Sequence, residues 1–315
     1  MEKIRDMLII GGGPGGYTAA LYGARAGLDT LLLEKMSPGG QMIQTHQIDN
    51  YPGFPDGIDG FTLGMQMQQG AERFGAETEM TEVLSADLKS SVKRVETTSG
   101  TYYARTVVLS TGAVPRPLGL PGENEWLGRG IHYCAACDGM FYRGKTVVVV
   151  GGGNTAAADA LLLSRVAKKV ILVHRRDSLR ATKIYHAPLF AAENVELRWN
   201  SAVTALQGED SFRGVVLRNL LSGEETEVSC DGVFVSIGRN PASELFAGQV
   251  DLTPDGYILA DESTKTNLPG VFAVGDIRMK ALRQIVTAVS DGANAAYYAE
   301  EYLAEHSAAG QEVHV

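Results

Sequence analysis

One pattern occurs twice and restricts the fold more than anything else in the chain. Residues 6–35 read DMLIIGGGPGGYTAALYGARAGLDTLLLEK, and residues 145–176 read KTVVVVGGGNTAAADALLLSRVAKKVILVHRR. Each passes from an apolar run through a glycine cluster into a helix of apolar period, then into a second apolar run, which is the order of a βαβ unit. Runs such as Val147–Val150, apolar at every position, suit strands buried on both faces of a parallel sheet. Two such openings in 315 residues predict an α/β protein with two Rossmann-like dinucleotide-binding domains, each large enough for its own core. Tyr102–Pro115 and Asp231–Pro241 repeat a strand-to-loop theme, so the halves look like structural repeats, with linkers expected at Pro115–Pro121 and Asn240–Gly248.

The glycines have separate duties. Gly11, Gly13 and Gly16 satisfy G-x-G-x-x-G directly after a strand: the first permits the tight turn, the second lets backbone approach a pyrophosphate, and the third lets helix and strand pack closely. The pyrophosphate charge would sit at the helix N-terminus, where amides are unpaired. Glu34, at the end of the second strand, is placed to accept hydrogen bonds from ribose hydroxyls. The second cluster, Gly151, Gly153 and Ala156, has the same form, but His174 stands where Glu34 stands in the first, and His-Arg-Arg-Asp follows. An acid at that place would repel a 2′-phosphate, whereas Arg175 and Arg176, with Arg180 within reach, would bind one. The second site is therefore expected to prefer NADPH to NADH.

Cys134 and Cys137 form a Cys-x-x-Cys pair in HYCAACDG. A zinc site needs four ligands, and only His132 nearby and Cys230 far along the chain offer themselves. With three cysteines in all, the chain fits a reducing compartment, where a purely structural bridge is uncommon. Redox exchange is the favoured reading, with zinc and a structural disulfide as the weaker ones. Two cysteines one helical turn apart can close a disulfide, and a helix N-terminus would lower one thiol pKa. No metal is expected.

A net charge of −9 argues against general nucleic-acid binding. No apolar run is long enough to span a membrane, and the N-terminal stretch lacks a signal-peptide pattern, so a cytoplasmic protein is expected.

TNLPGVFAVGD, Thr266–Asp276, resembles the second FAD fingerprint of two-dinucleotide flavoprotein disulfide reductases. With CAACDG just ahead of an NADPH-type βαβ unit, and with HRRDSLRA and LRQIVTAVSDGA, nearly the whole chain resembles the low-molecular-weight, bacterial-type thioredoxin reductases of the pyridine nucleotide-disulfide oxidoreductase family. Glutathione-reductase-like enzymes carry their cysteines after the first FAD helix, where Gly39–Thr45 has none. The family's usual Thr within the redox motif is Ala136 here, and Met140 replaces the first of two usual aromatics.

The resemblance implies a discontinuous FAD domain, residues 1–115 and 246–315, with an NADPH domain, residues 116–245, inserted and carrying the cysteines. It implies FAD contacts from Gly11, Gly13, Pro14, Gly15, Glu34, Gly40, Gln41, Asn50, Thr111, Gly112, Gly275, Asp276, Arg283, Gln284 and Ile285. For NADPH it implies Gly153, Asn154, Thr155, His174, Arg175, Arg176 and Arg180. Cys137 would be the flavin-proximal thiol, Cys134 the thiol that attacks thioredoxin, and Asp138 the proton donor to the leaving thiolate. Arg129 and Phe141 are candidates for partner docking. A homodimer and a rotation of the middle domain between two states are also implied, because one rigid pose cannot serve nicotinamide, flavin and thioredoxin in turn.

Overall fold

The computed structural model describes residues 3–45 and 47–308. The chain divides into two compact units, residues 1–114 with 240–315, and residues 115–239. The second crossing falls at 239/240. Residues just beyond it are tied to the first unit: the Ala242 amide donates to the Gly112 carbonyl, and the Thr111 hydroxyl donates to the Ala242 carbonyl.

The first unit is built on a seven-stranded sheet. Glu77–Met80, Thr30–Glu34, Ile4–Ile10 and Thr101–Leu109 lie side by side and parallel. Val271–Ala273 returns from the far end of the chain to pair in parallel with the end of Thr101–Leu109. An antiparallel pair, Val83–Asp87 and Lys93–Thr97, completes the sheet beside the start of that strand. Met7, Leu8 and Ile9 are fully buried and alternate between two cores, as a strand covered on both faces must. Met7 and Ile9 pack with Tyr17 and Ala20 of helix Pro14–Arg25, while Leu8 and Ile10 pack with Phe246 and Val271. Helix Ile285–Ala308 crosses the first helix so closely that a Cβ on Gly292 would strike the Gly15 carbonyl.

The second unit repeats the plan. Val195–Arg198, Lys169–Val173, Thr146–Val150, Gly232–Val235 and Ile131–His132 form a five-stranded parallel sheet in that order. Val147 and Val149 face helix Asn154–Ser164 through Ala156, Ala160 and Leu163. Val148 and Val150 face a three-stranded antiparallel sheet, Ser201–Gly208, Phe212–Asn219 and Glu225–Ser229, through Val203, Phe212 and Val215. Both units are thus Rossmann-like layers, and both glycine clusters sit where a parallel strand gives way to a helix. Open α/β sheets bind ligands at such carboxyl ends of strands. No helix among the described residues is long and apolar enough to cross a membrane.

Candidate active site and dinucleotide sites

In the first unit the glycine turn is tight where it must pack and open where a ligand would lie. Gly11 has φ +104°, and a Cβ there would come within 2.5 Å of the Ser110 carbonyl oxygen. A Cβ on Gly16 would strike the Gly11 carbonyl. Gly13, by contrast, has nothing within 4 Å of where its Cβ would stand. It is the N-cap of helix Pro14–Arg25, with no side chain capping the first-turn amides and with Pro14 at the start. That leaves an uncapped positive helix end facing open space, which fits a pyrophosphate. Glu34 is fixed across the turn, one carboxylate oxygen accepting from the Gly12 amide at 2.6 Å and the other from the Met36 amide at 2.9 Å.

The remaining residues expected at the flavin come from distant parts of the same unit. Gly40, at φ +57°, lies with its Cβ position 3.2 Å from the Gly13 Cα, and the Gln41 amide donates to the Ala113 carbonyl. Asn50 donates to Gln284 at 3.0 Å, joining segments far apart in sequence. Arg283 lies over the Tyr257 ring at 4.1 Å, and its buried Nε has no hydrogen-bond partner among the described residues. Ile285 begins the long helix. The Gly275 amide donates to buried Asp291, and Asp276 follows in a half-buried turn. An open N-cap and an orphaned guanidinium nitrogen are the features a phosphate-bearing aromatic cofactor would complete, so the residues fit FAD.

In the second unit Gly153 is likewise an N-cap with no atom within 4 Å of its Cβ position, and Asn154 and Thr155 are exposed beside it. The Asn154 side-chain Oδ1 accepts from the Thr182 amide, and the Arg180 amide donates to the Gly152 carbonyl at 2.7 Å. Arg175, Arg176 and Arg180 are exposed at the rim of this turn. His174 stands apart from them. Its ring is buried under Gly152, where a Cβ would collide with it, and its Nε2 lacks a partner among the described residues. Burial first, then the nearby Arg180, Arg176 and Arg175, hold its pKa below the ordinary histidine range. His174 is a neutral packing group under the turn, and the cations at the rim are the three arginines. The residues fit a nicotinamide dinucleotide bearing an extra phosphate.

The cysteines follow strand Ile131–His132. Cys134 is the N-cap of the short helix Ala135–Asp138, and the Cys137 amide donates to the Cys134 sulfur at 3.2 Å. The two are joined as a disulfide with Cα atoms 5.3 Å apart. Ala136 is exposed between them. Asp138 ends the helix, and its carboxylate meets His132 Nδ1 at 2.9 Å. His132 Nε2 meets the Tyr142 hydroxyl at 2.6 Å. His132, weighed from sequence only as a zinc ligand, therefore has both ring nitrogens engaged. The signal that could have revealed this is a histidine on the strand leading into a Cys-x-x-Cys-Asp turn. Phe141 and Met140 are exposed just beyond, and exposed Arg129 donates to the Glu125 carbonyl. Cys230 is a buried thiol whose pKa is pushed up to about 12, by burial first and then by Asp231.

A Cys-x-x-Cys disulfide on a short helix, in a chain with two glycine turns that carry an acid and a basic rim respectively, points to a disulfide oxidoreductase that draws on a pyridine nucleotide. The family described as pyridine nucleotide-disulphide oxidoreductase matches residues 5–292, and the chain belongs to it. Within it the chain is similar to thioredoxin reductases. The chain is 47% identical to the thioredoxin reductase of Streptomyces clavuligerus over 96% of its own length and 95% of the relative's. It is 46% identical to the bifunctional thioredoxin reductase/thioredoxin of Mycobacterium leprae, over 97% of this chain and 67% of that one. The crystal structure of thioredoxin reductase from Streptococcus pyogenes superposes with a TM-score of 0.89 at 42% identity, covering 97% of this chain and 100% of that one.

Proposed function

We propose that this chain reduces the disulfide of thioredoxin with electrons from NADPH, by way of FAD and the Cys134–Cys137 couple. The observation that carries the reading is the Cys134–Cys137 disulfide at the mouth of a short helix, in the same unit as the arginine-rimmed glycine turn. The flavin and nicotinamide, when bound, supply the hydride and electron transfer that side chains cannot perform.

The chain's own residues do the rest. Gly11, Gly13, Pro14 and Gly15 present the helix end to the pyrophosphate, and Glu34 receives the ribose. Gly40, Gln41, Asn50, Thr111, Gly112, Gly275, Asp276, Arg283, Gln284 and Ile285 orient the remainder of FAD. Gly153, Asn154 and Thr155 hold the NADPH pyrophosphate, Arg175, Arg176 and Arg180 hold its 2′-phosphate, and His174 supports the turn from beneath. Reduced Cys134 attacks the partner disulfide as a thiolate, forming a mixed disulfide. Cys137 then attacks Cys134, which restores the internal disulfide and releases the reduced partner. Asp138 protonates departing sulfur. The thioredoxin named on the same polypeptide as the Mycobacterium leprae relative supports the choice of partner.

The cysteines and the arginine rim share one unit, and the flavin residues lie in the other, so the inserted unit must present two faces in turn. Rotation about the two crossings near residues 114–115 and 239–240 meets that need. A cytoplasmic homodimer is the working state in this reading. The test is NADPH-dependent reduction of purified thioredoxin by the FAD-bound enzyme. Turnover in the parent and its loss in Cys134→Ser support the proposal. Equal turnover in Cys134→Ser refutes it.

A further inference from the structure

We infer that His132, held by Tyr142, is the positioning residue that keeps a proton available to Asp138 during thiol–disulfide exchange. The inference rests on the function proposed above and adds to it a second proton-holding group.

The geometry is a chain of three polar groups that runs from a buried phenol to a half-buried carboxylate. The His132 side chain is 4% exposed and that of Asp138 is 19% exposed, with Nδ1 and the carboxylate 2.9 Å apart. On the far side Nε2 and the Tyr142 hydroxyl are 2.6 Å apart. The ring itself is clamped, stacked on Phe234 at 5.2 Å and met edge-on by Tyr142. Tyr142 has a prepared seat: it lies over Gly232, where a Cβ would stand 2.7 Å from its hydroxyl oxygen. Burial first, then Asp138, Asp231 and Cys230, raise the Tyr142 pKa, so the phenol keeps its proton. Among the described residues, Asp231 and Cys230 face the phenol, Lys145 lies over its ring at 5.3 Å, and the two cysteines of the pair sit on the same short helix turn as Asp138.

The chemistry needs such a group. Exchange of the dithiol with a disulfide forms one S–S bond within the enzyme and breaks one in the partner. Two electrons pass to the partner, and two protons pass from Cys134 and Cys137 to its sulfurs. A lone aspartate gives up its proton near pH ~3.9 and an imidazole near pH ~6.5. A carboxylate hydrogen-bonded to an imidazole therefore shares a proton at pH values where a lone carboxylate has none. His132 with Asp138 can take the proton that leaves an attacking thiol and return it to the sulfur that departs.

The test compares the FAD-bound parent with His132→Gln and Tyr142→Phe in thioredoxin turnover from pH 5.5 to 9. In His132→Gln, kcat is expected to fall about tenfold above neutrality and to approach the parent at the acid end; Tyr142→Phe should move in the same direction by less. Profiles parallel to the parent's, whatever the overall loss, would overturn the inference. A second readout needs neither turnover nor a stable His132 variant: the His132 ring nitrogen resonances are recorded by NMR at one pH in the oxidised parent and in Asp138→Asn. Loss of the carboxylate should shift the Nδ1 resonance and speed exchange of its proton with water. Identical ring resonances in the two proteins sink the inference. An inactive parent would instead refute the proposed function and leave this readout to decide the pair.

Discussion

Asp291 offers a sharp test of how the first unit is held together. It is 2% exposed and accepts from four donors: Arg278 Nε at 2.9 Å, Arg278 Nη2 at 2.7 Å, Lys280 Nζ at 2.6 Å and the Gly275 amide at 2.8 Å. The two cationic side chains are themselves 3% and 6% exposed. Asp291→Asn keeps the shape but leaves two buried cations facing a neutral amide. Removing one partner of a buried ion pair costs about 3–5 kcal/mol, because the survivor cannot recover its hydration. For a unit of this size that corresponds to a melting temperature lower by roughly 6–20 °C. Glu262→Gln is the control, since Glu262 reaches Arg278 at 3.3 Å but is 88% exposed, and an exposed partner contributes about 0–1 kcal/mol. The assay is thermal denaturation of both variants with FAD in excess. If Asp291→Asn melts within a degree or two of Glu262→Gln, the buried-charge argument is wrong.

Three further predictions come from the same physics. Gly13→Ala should fold with a melting temperature near the parent's, because its φ is −73° and its Cβ meets no atom, yet bind FAD at least tenfold more weakly; Gly16→Ala should fail to fold. Isothermal titration and circular dichroism separate the two. Replacing Arg175 and Arg176 with alanine should cut the preference for NADPH over NADH by about 10- to 100-fold, with the KM for NADH little changed, as expected when charge-assisted bonds to one phosphate are lost. Lys93 is buried with one long hydrogen bond, 3.3 Å to the Ser91 carbonyl, and burial lowers its pKa. Lys93→Met should therefore stabilise the protein by about 1–3 kcal/mol at neutral pH. The unfolded chain binds this proton more readily than the native one, so parental stability rises with pH, and the gain should shrink as pH approaches ~10.4. Denaturant melts at pH 7 and pH 10 check the sign.

The two βαβ units were legible because a strand covered on both faces must be apolar throughout, as Met7–Ile10 and Val147–Val150 are. The charge contrast between Glu34 and Arg175–Arg176 was legible because the strand end is a fixed place relative to the glycines. Contacts that close through distant chain were not. The Tyr142–His132–Asp138 chain depends on a slot opened by Gly232 on a separate strand. His174 occupies the offset of Glu34, but a ring there folds under Gly152 where a carboxylate reaches across the turn. Lys93 lies in a polar stretch, yet its side chain is buried, with its ammonium 5.7 Å from the centre of the Tyr302 ring on the C-terminal helix. The antiparallel sheet over residues 201–229 also escaped notice, since its alternation is broken by register shifts in its first pair of strands.

The most direct measurement is a thiol count. FAD-bound protein is mixed anaerobically with a small excess of NADPH, quenched with an alkylating agent and mapped by mass spectrometry. The account predicts that Cys134 and Cys137 pass together from disulfide to alkylated thiols, the pairs opened and the flavin left reduced together matching the NADPH consumed. NADPH consumption with that bridge left intact would contradict it.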